Sequence, residues 1–245
     1  MTTNVYDSKA GVMATDSRWS HQFGSRIVYV DDAHFSKIEI FGAWAIMFAG
    51  DGVKIQQWKD WIRSGPTDFS SMPDYDGICV CIVSSATKQV RFKQPQDITK
   101  DGGYFAGSGS MHAYLCWSVN GDAKRAVESA IQADGYSGGL VKFVNLNDMS
   151  NNLSAPGPIN QWRIDDVRDA VLQRGMVMNL AQNSGAPFQL SKLAANDAEV
   201  AKIQAMIASG EVAPTAPCDG MYTEWTEDQK VELKSALADV FGWSK

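Results

Sequence analysis

Short apolar runs broken by turn residues fill the first fifty positions, and a helical spacing of apolar residues takes over only after Gly52. Asn4-Val5-Tyr6 and Val12-Met13-Ala14 flank the turn cluster Asp7-Ser8-Lys9-Ala10-Gly11, which predicts a β-hairpin. Arg26 to Val30 predicts a third strand, ended by Asp31-Asp32. The alternation in Lys37-Ile38-Glu39-Ile40-Phe41 predicts a half-buried strand, while residues 43–49 are apolar on both faces and predict a buried one. Ile55, Trp58, Trp61 and Ile62 then recur at helical spacing, and Gly65-Pro66 ends that helix. Strands return at 77–83 and 89–93, and Tyr104-Phe105-Ala106 follows a Gly-rich turn. Residues 111–117 and 123–133 predict helices; in the second, Ala123, Ala126, Val127, Ala130 and Ile131 form one apolar stripe. Leu140 to Leu146 closes this unit as a strand.

This order of strands, helix, strands, helices and strand predicts an α+β fold in which helices cover antiparallel sheets. The character changes at Asn147. Residues 147–160, rich in Asn, Ser, Pro and Gly, predict a linker between a core at 1–146 and a mainly helical extension at 161–245. Helices are expected at 161–182, 191–208 and 226–241, the last with Thr226 and Gln229 in capping-box positions.

Composition narrows the function classes. The chain has 245 residues and a formal charge of −6, which argues against a nucleic-acid partner relying on clustered Lys and Arg. Residues 150–245 hold eight basic and twelve acidic side chains, so most of the excess negative charge lies in that region. No apolar run approaches the roughly 20 residues of a membrane span, and the first residues lack the pattern of a secretory signal. The expectation is a cytoplasmic protein with no membrane and no nucleic-acid partner. Cys79, Cys81, Cys116 and Cys218 show no zinc spacing, and His21, His34 and His112 are scattered, so neither a metal nor another cofactor is expected. Cys79 and Cys81 lie two apart in one predicted strand and read as small buried residues on a shared face.

The candidate chemistry begins at Met1-Thr2-Thr3. Methionine is commonly trimmed before a small residue, which would leave Thr2 with a hydroxyl nucleophile and an α-amine of pKa roughly 7.7–8.0 that can act as its base. Polar candidates to assist it are Asp16 in Ala14-Thr15-Asp16-Ser17-Arg18, Lys37 at a strand start, Ser110 in Gly107-Ser108-Gly109-Ser110, and Asp134 with Ser137 in Asp134-Gly135-Tyr136-Ser137-Gly138-Gly139. Each has an ordinary reading as turn, solvated edge or helix stop. Their order behind a threonine at position two gives the set its weight.

With these motifs, residues 2–146 resemble the proteasome β-subunit family of N-terminal-nucleophile hydrolases, including the bacterial HslV-type peptidases. The resemblance rests on Met-Thr-Thr, Asp16-Ser17-Arg18, Lys37 with Phe48-Ala49-Gly50-Asp51, the Gly-Ser-Gly-Ser at 107–110 and the Asp-x-x-Ser-Gly-Gly at 134–139. It implies a four-layer αββα sandwich and a threonine-type peptidase or amidohydrolase. Thr2 would be nucleophile, with Lys37 held by Asp16 as a fixed cation. Ser110, Asp134 and Ser137 would orient the terminal amine, and Met47 and Gly50 would lie at the substrate. Met47 stands where the family usually has an oxyanion-hole glycine. The resemblance also implies a homo-oligomer, in relatives a ring, acting on peptide or unfolded-protein substrates and fed by an ATP-dependent unfoldase. The alternative is a non-catalytic assembly or binding protein that keeps the fold.

Overall fold

The computed structural model describes residues 2–153, 162–181 and 186–243. Fourteen strands and seven helices are found among them. The strands are β1 (Asn4–Asp7), β2 (Val12–Thr15), β3 (Trp19–Phe23), β4 (Arg26–Val30), β5 (Ile38–Phe41), β6 (Trp44–Asp51), β7 (Ile78–Ser84), β8 (Val90–Phe92), β9 (Ile98–Lys100), β10 (Gly103–Ala106), β11 (Lys142–Asn145), β12 (Met176–Asn179), β13 (Phe188–Gln189) and β14 (Thr215–Ala216). The helices are α1 (Gly52–Arg63), α2 (Ser110–Asn120), α3 (Ala123–Ala133), α4 (Ile164–Arg174), α5 (Leu190–Ala194), α6 (Ala198–Ser209) and α7 (Glu227–Phe241).

The strands form two antiparallel sheets. A five-stranded sheet runs β11-β2-β1-β10-β9, and its β1–β2 hairpin is the one the sequence predicts. A nine-stranded sheet runs β13-β12-β4-β3-β14-β6-β7-β8, with β5 on the same edge of β6 as β14. Strand alternation sorts the apolar side chains by face. In the smaller sheet Val5, Ala14 and Phe105 pack with Trp117, Ala126, Val127 and Ala130 of α2 and α3. Their chain neighbours Tyr6, Met13 and Tyr104 instead join Ala45, Met47, Cys81 and Val83 of the larger sheet. The largest cluster lies on the other face of that sheet, where Ile46, Phe48, Val80 and Ile82 meet apolar residues of α1, α4, α6 and α7. Cys79 and Cys81 share the face toward the smaller sheet, both buried, as expected from their spacing.

The first half of the chain follows its pattern closely, apart from β3 and β9. The segment Trp19-Ser20-His21-Gln22-Phe23 carries three consecutive polar residues and was not expected as a strand; pairing with β4 along its whole length holds it.

The second half departs more. Of the helix expected at 161–182, whose end residues lie outside the described set, only α4 forms. Gly175 ends it in extended backbone, at a position where a side-chain carbon would overlap the Val171 carbonyl and only glycine fits. Met176–Asn179 then becomes β12 along the open edge of β4. The helix expected at 191–208 is split into α5 and α6 at Asp197, whose carboxylate caps the amides of Glu199 and Val200. Residues 147–153 fold back on β11 through the Val144–Asn151 bridge, and Leu153 is buried. The region after 161 is therefore not helix alone: β12, β13 and β14 enter the larger sheet. The α7 helix forms as expected, with the Thr226–Gln229 capping box present.

Leu237 of α7 is buried in the largest cluster. Leu237→Ala should lower unfolding free energy by about 2–5 kcal/mol, measured by urea denaturation; a solvated helical appendage would show a change near zero.

Candidate active site

Hairpin β1–β2 brings Thr2 beside Asp16, because each lies just outside the paired strands: Asn4 pairs with Thr15, and the Asp16 amide donates to the Thr3 carbonyl at 3.2 Å. Lys37 arrives from the larger sheet. Its carbonyl accepts from the Phe48 amide at 2.8 Å, which extends the β5–β6 ladder by one step and fixes the base of the side chain. The preceding loop is pinned by Trp19 Nε1 donating to the Phe35 carbonyl at 3.1 Å. Lys59 Nζ donates to the Ser36 carbonyl at 2.7 Å.

These three side chains meet. Lys37 Nζ donates to Thr2 Oγ1 at 2.6 Å and to Asp16 Oδ1 at 2.8 Å, and Thr2 Oγ1 itself donates to Asp16 Oδ1. The carboxylate also accepts the amide of Thr3 at 3.0 Å and those of Arg18 and Gly138, each at 3.1 Å. Thr2 and Asp16 are 0% exposed and Lys37 is 1% exposed. Burial pulls the Lys37 ammonium's pKa below its ordinary value, against the opposing pull of the Asp16 carboxylate. A buried ion pair holds only when its remaining donors and acceptors are satisfied. Here three backbone amides and the threonine hydroxyl do that.

A second layer of hydrogen bonds stands behind this one. Ser137 Oγ donates to Asp134 Oδ2 at 2.7 Å and lies 2.7 Å from Thr3 Oγ1. Ser108 Oγ also donates to Asp134 Oδ2. Asp134 and Ser137 are thus joined to the start of the chain through Thr3. Ser110 is not. It opens α2, half-buried, and among the described residues its side chain makes no hydrogen bond to the cluster. The Gly-Ser-Gly-Ser segment works through its glycines and through Ser108. Gly107 sits at φ +87°, where a side-chain carbon would overlap the Thr2 carbonyl, and one at Gly109 would overlap Thr3 Oγ1. Likewise a carbon at Gly138 would overlap the Arg18 guanidinium, which pairs with Asp31 at 2.7 and 2.8 Å.

Met47 and Gly50 do not face an open cleft. Met47 lies in the middle of β6 between β5 and β7, and its side chain packs between the sheets, 1% exposed. Met47 thus stands opposite Ile38 of β5 on one side and Cys81 of β7 on the other. Gly50 is flanked by Ile78 of β7 and Ala216 of β14.

Sequence reasoning missed Thr3, Ser108 and Lys59. Nothing in Gly-Ser-Gly-Ser says which serine turns inward. Lys59 had a signal in its place on the apolar face of α1, between Ile55 and Ile62. Its ammonium lies 3.2 Å from the buried Glu39 carboxylate, which Arg63 also clasps at 2.7 Å. Among the described residues no cluster of His, Cys, Asp and Glu could hold a metal, and no helix is long and apolar enough to cross a membrane.

No family model matches this chain, and no curated protein matches it. Among solved structures, the chain is similar to Thiobacillus denitrificans BPH in complex with epoxomicin, at 16% identity and a TM-score of 0.42, over 58% of this chain and 96% of that one. It is also similar to the eukaryotic HslV from Trypanosoma brucei, at 16% identity and a TM-score of 0.36, over 58% of this chain and 97% of that one.

Asp16→Ala leaves the Lys37 ammonium buried without its counter-charge and should cost about 3–5 kcal/mol of stability, read from denaturant midpoints. A pH effect follows from Lys59, whose pKa is pushed down to about 8 by burial, with Glu39 opposing. Between pH 8 and 10 the unfolded chain binds more protons at this residue than the folded one, so its contribution to stability rises with pH. Lys59→Met should flatten that rise, compared by urea denaturation at both ends of the window.

Proposed function

We propose that this protein is a threonine-type amidohydrolase or peptidase whose nucleophile is Thr2, on a four-layer αββα sandwich. The observation that carries the reading is Lys37 Nζ 2.6 Å from Thr2 Oγ1, with Asp16 holding both in a dry environment. The two sheets with apolar side chains between them, and helices packed against each, support the layered arrangement.

Thr2 Oγ attacks a substrate carbonyl carbon, and its proton passes to the α-amine of the same residue once Met1, which lies outside the described residues, has been removed. A free amine is needed because an amide nitrogen is no base. Lys37 faces the hydroxyl as a cation and favours the alkoxide that develops as the proton leaves. Asp16 orients Lys37. Asp134, Ser137 and Ser108 position the first residues through Thr3. Ser110 is assigned only the start of α2.

Substrates of this reading are peptides or unfolded chains. Homo-oligomerisation, a ring fed by an ATP-dependent unfoldase and a cytoplasmic location belong to the same proposal. Met111, Leu115 and Val119, exposed along one side of α2, give self-association an apolar stripe to use. The complete burial of Thr2 favours a second reading, a non-catalytic protein that retains the cluster as a structural ion pair.

The experiment is intact-mass analysis after exposure to a peptide epoxyketone. Loss of Met1 and one adduct at Thr2 are expected, Thr2→Ala should give none, and Lys37→Met should slow labelling by about 10²–10³-fold. Retention of Met1 with no adduct would select the second reading.

A further inference from the structure

Of the two shortest strands in the larger sheet, β13 and β14, the second has the more exacting position. Thr215 and Ala216 stand between β3 and β6, pairing with Ser20 on one side and with Asp51 and Gly50 on the other. Without them, β3 and the far end of β6 would face each other across the width of one strand. That end of β6 adjoins the backbone that carries Lys37: β5 covers Trp44 to Met47, the Lys37 carbonyl accepts from the Phe48 amide, and β14 begins two residues further on. On the other side, Ser20 comes four residues after Asp16 in the chain.

This strand is held weakly by its own ladder. Pro214 and Pro217 bracket it, so only two of four consecutive residues carry an amide hydrogen. β3 runs for five residues, yet β14 pairs with Ser20 alone. The fit is also incomplete. Ser20 Oγ is buried and has no hydrogen-bond partner, which is uncommon for a hydroxyl out of reach of water. Trp19 and Phe23 enter the largest apolar cluster, so by alternation Ser20 points to the opposite face, the one that Ala49 and Cys79 share.

Contacts outside the ladder fasten the segment. Thr215 Oγ1 donates to the Ser20 carbonyl at 2.8 Å. Cys218 Sγ donates to Cys79 Sγ of β7 at 2.6 Å. Pro214 packs on Gly52, where a side-chain carbon would overlap its carbonyl.

We propose that residues 213–218 are a built-in stopper: they fill a one-strand slot meant for an extended peptide, and that peptide must displace them to reach Thr2. An incoming chain without proline supplies more ladder hydrogen bonds than β14 and can offer Ser20 Oγ a partner. This is strand addition to a sheet edge, with the chain's own C-terminal segment as resident competitor. The slot rests on the pairing geometry; its consequence for hydrolysis rests on the reading of Thr2 as nucleophile.

The test uses the full chain in three forms. They are the reduced protein, the same protein oxidised with diamide, and Ala216→Glu, which puts a carboxylate where the strand packs against the apolar cluster. Diamide takes two electrons and two protons from the Cys79 and Cys218 thiols, becoming a hydrazine as the S–S bond forms. Peptide mapping locates that bond. The probe is a fluorescent peptide copying residues 211–219 with serine at the cysteine position, read by anisotropy. Ala216→Glu should bind it at least ten-fold more tightly than the reduced protein, and the crosslinked protein at least ten-fold more weakly. Equal binding by the reduced and crosslinked forms overturns the proposal, and needs no variant to fold. So does failure of diamide to join the buried sulfurs, since reaching them requires the segment to lift. Peptide binding is independent of Thr2 chemistry. The predicted differences without any epoxyketone adduct would sink the hydrolase reading and leave the stopper standing. An adduct that forms equally fast in all three forms would do the reverse.

Discussion

A lysine ammonium removed from water against an equally buried aspartate is the constraint around which this molecule is built. Neither Lys37 nor Asp16 retains appreciable solvent contact, so each depends on protein groups for what water would supply. The carboxylate collects three amides, an ammonium and a hydroxyl. Those donors come from the chain start, the turn after β2, the loop before β5 and the glycine pair after α3. One pair of charges thus ties together segments as far apart in sequence as Thr3 and Gly138. Lys59 adds a second buried cation just behind, holding the Ser36 carbonyl and hence the backbone that carries Lys37.

Close approach is the other requirement, and glycine meets it. At positions 107 and 109 the backbone lies against Thr2 and Thr3, and at 138 against Arg18, with no room for a side-chain carbon. The two glycine-containing motifs therefore set the shape of the site as much as their polar residues do. This explains why Ser108 and Ser137 reach Asp134 while Ser110 serves only as the start of α2.

The C-terminal region belongs to the same construction. β12 extends the larger sheet beyond β4, β14 closes its interior, and α7 buries Leu233, Ala236, Leu237 and Val240 in the principal cluster. The segment that fills the gap between β3 and β6 pairs with Gly50, two residues along β6 from Phe48, whose amide donates to the Lys37 carbonyl.

Much of this was legible in the chain itself. The turn cluster between two short apolar runs specified the β1–β2 hairpin, the uninterrupted apolar run at 43–49 specified a central strand, and the helical spacing from Ile55 specified α1, because these are local consequences of side-chain period and turn chemistry. The motifs also singled out Thr2, Asp16 and Lys37, which the fold brings into contact, and Asp134 and Ser137, which join them through Thr3. Tertiary contacts decided the rest. Met176 to Asn179 continues a helical pattern on paper, and becomes a strand because Gly175 stops the helix and β4 offers unpaired edge groups. Thr215-Ala216 between two prolines gives no local strand signal at all. It is a strand only because two distant strands leave a gap of its width, and pairing across the whole sequence is information that no local window contains.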